Sequence, residues 1–271
     1  MAILTFYHSK NCNAKIIYVR IDSTNGCHQV VQLKLTLFST PTINLKDMIP
    51  ICENATITVN AGNGFNSYVW STGVTNQQSI VINQAGNYSV TVSKNNGSVT
   101  CYKTKNFTVA KSNIATISSI ESSDWTDEQN TISVILSQSS VGNYEYSLDG
   151  IQYQDSPIFN NLRSGFYTIY VNDKNNCGKI TDDIFLLMYP VFFTPNDDGY
   201  NDFWKIKLSE FERGLTIKIF DRFGKFLKFL DNDDYGWDGT YNQKPLPSDD
   251  YWFVVTRANG DEFKNHFTLK R

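Results

Sequence analysis

Hydrophobic and polar residues alternate along several short segments of the chain, as they do in half-buried β-strands. Such segments lie at residues 15–21 (KIIYVRI), 86–92 (GNYSVTV), 165–171 (GFYTIYV) and 250–255 (DYWFVV). The first tyrosines of the last three segments lie 79 and 84 residues apart, and the cysteines that follow the first three segments lie 74 and 76 residues apart. A period of roughly 75–85 residues predicts tandem β-sandwiches that each close on a G-x-Y-x-V-x-V strand. We expect each Tyr ring to be buried and its hydroxyl to bond a loop carbonyl, as in a tyrosine corner.

The composition indicates an all-β fold of tandem immunoglobulin-like β-sandwich domains. The 271 residues suffice for several small domains, and the 15 Tyr and 18 Phe suit strands rather than helices. No run of 18 apolar residues occurs, so the sequence predicts no membrane span. A net charge of −3 argues against a nucleic-acid partner, which requires a basic surface.

The domain boundaries follow from these repeats and from a change in composition. We predict the C-terminal part of an Ig-like repeat at 1–40, an Ig-like β-sandwich at 41–110, a further sandwich at 111–189 and a separate domain at 190–271. Residues 191–271 hold 26 charged residues, against 25 in the preceding 190. Because the first segment corresponds to half a domain, we expect the chain to be the C-terminal piece of a longer exported protein.

Five cysteines among short β segments favour an oxidising compartment. The preferred pairing is Cys52 with Cys101, which would close a loop of about 50 residues and contribute roughly 3–4 kcal/mol in the chain-entropy model. Cys27 either pairs with Cys12 or has its partner outside this sequence. Cys177 has no partner within its own unit.

The third unit carries a recognisable pattern from Tyr144 to Cys177. It contains Y-x-Y-S-x-D-G, with Asp149-Gly150 as a strong hairpin turn, followed by L-x-x-G-x-Y-T-x-x-V-x-D-x-x-x-C. These motifs resemble the repeats of large surface adhesins in gliding bacteria, so we interpret residues 111–189 as an adhesin-repeat-like β-sandwich. Residues 41–110 likewise resemble the Ig-like repeats of such proteins.

Four motifs follow in order in the last 80 residues: FFTPNDDGYNDFW, IFDRFGKFL, GWDGTYNQKPLPSDDYWFVV and FKNHFTLKR. Together they resemble the gliding-motility-associated C-terminal domain, the type B sorting domain of the type IX secretion system. The resemblance implies a folded signal, carried by the type IX translocon after Sec export and assisted by an outer-membrane sorting partner protein. It assigns the sorting signal to Pro195, Asn196, Asp198, Gly199, Asn201, Asp202, Asp221, Arg222, Gly224, Trp237, Asp238, Gly239, Lys270 and Arg271.

Three positions depart from the family pattern. The family has Gly where Asp197 and Gln243 stand here, and often at Asn265. We expect each change to remove a Gly from a turn, at little cost because the neighbouring Asn and Asp residues tolerate left-handed backbone.

The acidic run in the first of these motifs has a second interpretation as a calcium loop, with Asp197, Asp198 and Asp202 as weak candidate ligands. The EF-hand spacing fails, because Gly199 at the sixth position places Lys205 at the twelfth, where a Glu is required. We therefore favour Asn and Asp side chains that bond their own turn backbone, with no metal and no cofactor.

Several signal residues also have purely structural interpretations. Arg222 either recognises the transport machinery or pairs with an Asp across its hairpin. Trp237 is expected in the core with its indole N–H satisfied locally. The pair Lys270-Arg271 is either recognised by the translocon or keeps an edge strand soluble.

The sequence contains no catalytic motif. The three histidines are scattered, and G-x-S-x-G, H-E-x-x-H and P-loop patterns are absent, so we predict no enzyme. The function predicted is that of an exported cell-surface or secreted protein of a Gram-negative bacterium, in which the last domain is the sorting signal and the upstream sandwiches are spacers. The alternative is that these sandwiches are carbohydrate- or surface-binding adhesin modules, which a row of exposed Trp and Tyr on one face would favour.

Overall fold

The computed structural model describes Cys12, residues 38–97 and residues 99–271. Apart from one 3₁₀ turn, Ser209–Phe211, every regular element in this part of the chain is a β-strand, which confirms the all-β prediction. The strand predicted at 15–21, and nearly all of the half-domain predicted at 1–40, lie outside the described residues. No helix in the described part has the length and apolarity needed to cross a bilayer.

The described chain forms two compact units. Unit 1 contains the residues up to Asn113 together with Asn175–Cys177, and unit 2 contains Ile114–Lys174 and Gly178–Arg271.

Unit 1 contains the upstream sandwich, which is formed by six strands. These are β1 (Met48–Cys52), β2 (Ile57–Asn60), β3 (Ser67–Trp70), β4 (Ser79–Ile82), β5 (Gly86–Asn96) and β6 (Val99–Ser112). One sheet has the order β1-β6-β5-β3, with β1 parallel to β6, and a second sheet pairs β2 with β4. Trp70 is buried in the core and packs edge-on against Phe107.

The middle sandwich, in unit 2, has two three-stranded antiparallel sheets, β10-β8-β7 and β12-β11-β9. Its strands are β7 (Ile117–Ser123), β8 (Asn130–Leu136), β9 (Tyr144–Ser147), β10 (Ile158–Leu162), β11 (Gly165–Asp173) and β12 (Lys179–Leu186). Ile132, Ile169, Val171 and Leu186 are fully buried at its centre.

The C-terminal domain completes unit 2 with a five-stranded sheet of order β13-β19-β18-β14-β15 and a two-stranded sheet, β16-β17. Its strands are β13 (Phe192–Phe193), β14 (Thr216–Phe220), β15 (Phe226–Asp231), β16 (Thr240–Tyr241), β17 (Lys244–Pro245), β18 (Asp249–Thr256) and β19 (Glu262–Leu269). The inner face of the large sheet is aromatic and aliphatic, and it packs on Trp204 and Trp237.

The predicted tyrosine hydrogen bond occurs in each of the three described domains. Every one of these hydroxyls donates to the carbonyl four residues earlier, at 2.9 Å: Tyr88 to Gln84, Tyr167 to Arg163 and Tyr251 to Pro247. The bond is local in sequence, since it spans four residues, and it fixes the loop that enters the long central strand.

The predicted Cys52–Cys101 disulfide is wrong. The structure bonds Cys12 to Cys101 and Cys52 to Cys177, with Cα atoms 5.6 and 5.3 Å apart. Cys52 lies opposite Ser112 in the parallel β1–β6 pair, whereas Cys101 lies near the other end of β6. At the rise of a β-strand these ends are about 35 Å apart, far beyond the ~7 Å limit for a disulfide. Cys12 is therefore not the partner of Cys27, which lies outside the described residues.

Candidate functional site

A pair of buried tryptophans joins two of the C-terminal motifs. The backbones of Trp204 and Trp237 exchange two hydrogen bonds of 2.9 Å, one in each direction. Phe267 of β19 stacks on Trp204 at a centroid distance of 3.9 Å and meets Trp237 edge-on. The indole Nε1 of Trp237 donates to the carbonyl of Thr240 at 2.9 Å, so this residue is in the core and locally satisfied, as predicted.

The loop between Phe193 and Trp204 folds around the carboxylate of Asp202. Its Oδ1 accepts the backbone N–H groups of Asn196 and Asp197 at 3.0 and 2.7 Å, and its Oδ2 accepts that of Gly199 at 2.8 Å. Burial raises the pKa of Asp202, but the backbone N–H donors outweigh it and hold the pKa below its ordinary value. Asp202 therefore organises this loop as an anionic acceptor.

The same contacts bear on the calcium interpretation. Asp198 also accepts within the loop, from the backbone of Tyr200 and from the amide of Asn196, both at 2.8 Å. In the described residues, no group of three His, Cys, Asp or Glu side chains is arranged to hold a metal ion. The carboxylates of Asp198 and Asp202 are oriented toward their own backbone.

Two of the three departures from the family pattern fall on left-handed backbone. Asp197 has φ 63° and Gln243 has φ 62°, which explains why Gly suits these positions. Asn265 differs from the expectation, because it lies inside strand β19 rather than in a turn. A Gly is therefore not required there by a turn.

The D-R-F-G turn between β14 and β15 is closed by Asp221, whose Oδ1 accepts the backbone N–H groups of Phe223 and Lys225, both at 2.9 Å. Gly224 supplies the left-handed position, with φ 81°. Arg222 lies 3.5 Å from the carboxylate of Asp249 on β18 and is 55% exposed. Its partner is thus on a neighbouring strand, and the guanidinium remains accessible.

Gly239 of the G-W-D-G motif can be no other residue without rearrangement. A Cβ atom there would lie 2.5 Å from Cδ1 of Leu269, and φ is 75°. The adjacent Asp238 accepts both the backbone N–H and the hydroxyl of Thr240 through Oδ1. The motif therefore packs its backbone directly against the end of β19.

The terminal Arg271 connects three loops. Its Nε donates to the carbonyl of Leu246 at 3.0 Å, Nη2 to that of Gly239 at 3.3 Å and Nη1 to that of Pro195 at 3.4 Å. Its backbone N–H donates to the hydroxyl of Ser248 at 2.8 Å. One guanidinium thus joins the T-P-N, G-W-D-G and K-P-L-P segments, a use of its fixed set of donors that Lys cannot reproduce.

Lys270 has a different environment from Arg271. Its Nζ lies 4.1 Å from the centre of the Phe192 ring, and its backbone N–H donates to the carbonyl of Phe193. The charge rests on an aromatic face at the short edge strand β13, as a cation–π contact.

Taken together, the sequence-predicted signal residues form two neighbouring groups. Arg271 is joined directly to Pro195 and Gly239, while Asp202 and Trp237 organise the loops in which these two residues lie. The turn at 221–224 joins them through Asp249, which lines a shallow cavity of about 400 Å³ with Ser248, Lys270 and Arg271.

Two acceptors of this assembly, Leu246 and Ser248, are not among the signal residues predicted from the sequence. Leu246 accepts through its backbone carbonyl and Ser248 through a single hydroxyl, so their side-chain types give no indication of the role.

Residues 187–269 match the family model described as CHU_C Type IX secretion signal domain. The match contains the tryptophan pair, the Asp202 loop, the D-R-F-G turn and Gly239. These residues are a type IX secretion signal domain. Such a signal implies a type IX secretion system as partner and export to the cell surface or secretion.

Solved structures similar to the chain include tandem immunoglobulin and fibronectin domains. The eight N-terminal Ig domains of Down Syndrome Cell Adhesion Molecule match at 13% identity and a TM-score of 0.28, covering 88% of this chain and 37% of that one. The insect immune protein hemolin matches at 10% identity and a TM-score of 0.30, covering 86% and 77%. Latent PorU from Porphyromonas gingivalis matches at 11% identity and a TM-score of 0.21, covering 73% and 25%.

These likenesses concern the fold alone, and the chain spans little more than a third of the length of the first structure. No curated protein matches the sequence. The signal domain is preceded by the β-sandwiches described above.

Proposed function

We propose that the secretion machinery recognises a folded surface of the signal domain rather than a linear C-terminal tail. The observation that carries this proposal is Arg271, which draws the Pro195, Gly239 and Leu246 loops together. The signature residues then act in two ways. Asp202, Asp221, Trp237, Asp238 and the glycines build the loops, while Arg222, Lys270 and the outer loop residues contact the machinery.

We expect an outer-membrane sorting partner to bind the outer face of the large sheet. Phe226, Phe220, Trp252 and His266 lie opposite one another across β15, β14, β18 and β19, so they form one row on the solvent face. Phe226 and Trp252 are exposed. Exposed contiguous aromatic residues mark protein-interaction surfaces, so the partner binds along this row.

The upstream sandwich and the middle sandwich act as spacers in this proposal. Trp70 is buried and Trp125 is stacked on Phe263, so neither is free to stack on a sugar ring. The most exposed aromatic residues in the described part of these sandwiches, Tyr102 and Phe166, lie on different sandwiches. This distribution favours a spacer over the alternative of a carbohydrate-binding adhesin module.

The route proposed is Sec export into the periplasm of a Gram-negative bacterium, folding there, and passage through the outer membrane by the type IX translocon. The chain is itself the transported protein and carries the signal that directs its transport, with no catalytic role. The two disulfides fit this route, because they form in the oxidising periplasm.

The test uses residues 1–271 behind a Sec signal peptide, in a host with a type IX system and in an isogenic strain without its translocon. We expect the protein at the cell surface or in the medium of the first strain and in the periplasm of the second. Phe226→Ala/Trp252→Ala should retain the protein in the periplasm with an unchanged melting temperature. Equal export from both strains would refute the assignment, and normal export of the double variant would refute the partner surface.

A further inference from the structure

The middle sandwich and the signal domain share a buried ionic cluster. Arg257 of the signal domain donates from Nη1 to Oδ2 of Asp124, and from Nη2 to Oε2 of Glu212, each at 2.8 Å. The side chains of Asp124, Glu212 and Arg257 are only 4%, 9% and 18% exposed. Asp124 belongs to the middle sandwich, and 133 residues separate it from Arg257.

Burial and ion pairing shift the pKa values of this cluster in opposite directions. It raises the pKa of Asp124 above the ordinary value, and the charge of Arg257 offsets this only in part. Burial also lowers the pKa of Arg257, but the hydrogen bond to Glu212 and the charge of Asp124 outweigh it, so the net shift is upward. A buried charge of this kind is stable only while its partners stay in place.

Aromatic side chains extend the contact on both sides of the cluster. Trp125, next to Asp124, stacks on Phe263 of β19 with ring centres 4.3 Å apart and planes 3° from parallel. On the other side, Phe211 of the signal domain contacts Phe166 and Phe185 of the middle sandwich, each at 6.2 Å between ring centres.

The junction between the two domains has no exposed linker. Leu186 is fully buried in the core of the middle sandwich, and the next residue, Leu187, is fully buried in the core of the signal domain. The backbone N–H of Leu187 donates to Asp124, and its carbonyl accepts from Trp125. Asp124 and Trp125 therefore bind both the junction and the signal domain.

From these contacts we propose that the middle sandwich is part of the sorting signal: the machinery receives residues 114–174 and 178–271 as one rigid body. The proposal rests on the sorting function argued above. The middle sandwich is then no longer a spacer, and the upstream sandwich keeps that role. It also means that a protease cannot release the signal domain at residues 186–190 without first separating the two domains.

The test changes only the middle sandwich, in the full 271-residue chain, and leaves every residue of the signal domain intact. Asp124→Ala/Trp125→Ala removes both contacts, while Glu128→Ala/Ile151→Ala is a matched control at exposed positions of the same sandwich. We expect the first variant to be cleaved near the junction at least about tenfold faster, because proteolysis follows the population of the open form. The control should keep the wild-type rate.

In the secreting host, Asp124→Ala/Trp125→Ala should accumulate in the periplasm, while the control and Asp124→Asn/Trp125→Phe are exported. A protected junction in the first variant would overturn the assignment of the interface to these side chains. A cleavable junction with normal export would overturn the two-domain signal while leaving the sorting function intact. Translocon-independent export of the wild type would instead refute the sorting function itself.

Discussion

Two disulfides cross-link unit 1, which contains the upstream sandwich, whereas residues 178–271, including the whole signal domain, contain no cysteine. The signal domain relies on a large aromatic core, on carboxylates that cap its loops and on charged side chains that join distant segments. The upstream sandwich and the signal domain should therefore respond differently to reducing conditions. We expect the signal domain to fold without oxidation, and the upstream sandwich to gain stability from the disulfides that form in an oxidising compartment.

The largest effect should come from removing the Cys52–Cys177 bond with Cys52→Ser/Cys177→Ser. The bond joins residues 125 positions apart, so its loss should lower the unfolding free energy of unit 1 by about 4–5 kcal/mol. Calorimetry with hydrogen exchange on the full chain measures this change. Hydrogen exchange in β18 and β19 should stay unchanged. An equal loss of protection there would show that the disulfide also stabilises the signal domain.

Arg257→Met should have the next largest effect, and in the opposite region. The change leaves Asp124 and Glu212 buried without their cation, at a cost of about 3 kcal/mol in the unfolding free energy of unit 2. The unit 1 transition should not move. Restored stability in the triple variant Asp124→Asn/Glu212→Gln/Arg257→Met would confirm that unpaired charge is the cause, and no recovery would contradict it.

Gly239→Ala tests the close packing of the G-W-D-G motif against β19. The added Cβ meets Leu269, and the left-handed backbone adds strain, so we expect a loss of about 2–3 kcal/mol. Gly224→Ala is the matched control, because it shares the left-handed φ but faces open space, and it should cost only about 1 kcal/mol. Equal losses in thermal unfolding would show that packing is not the cause.

The smallest expected effect is a loss of folding stability at low pH. Because the pKa of Asp202 is lower in the folded loop than in the unfolded chain, its contribution is complete above about pH 4 and is lost as the pH falls through the lower, folded value. The amide NMR signals of Asn196, Asp197 and Gly199 should shift together in that range. They should not titrate in Asp202→Asn, and titration that persists there would exclude Asp202 as the source.

Local features of the fold were predictable from the sequence, and distant pairings were not. The tyrosine hydrogen bonds span four residues, and the turns at 196–202 and 221–225 are closed by their own Asp residues, so short motifs contain all the participants. The disulfides depend on the parallel register of β1 with β6, which alternation does not encode. Likewise, the 133-residue separation of Asp124 and Arg257 leaves no trace in either local sequence.

We propose that the signal is a folded surface, and the sharpest test of this proposal is export of the full chain carrying Asp202→Ala. This change removes the acceptor of three backbone N–H groups and leaves the C-terminal residues 203–271 unaltered. Surface exposure on intact cells, normalised to the folded protein recovered from the periplasm, gives the export yield, with Asp233→Ala as an exposed acidic control. We expect a marked loss of export for Asp202→Ala and none for the control, whereas wild-type export of Asp202→Ala would show that the folded loop is not required for recognition.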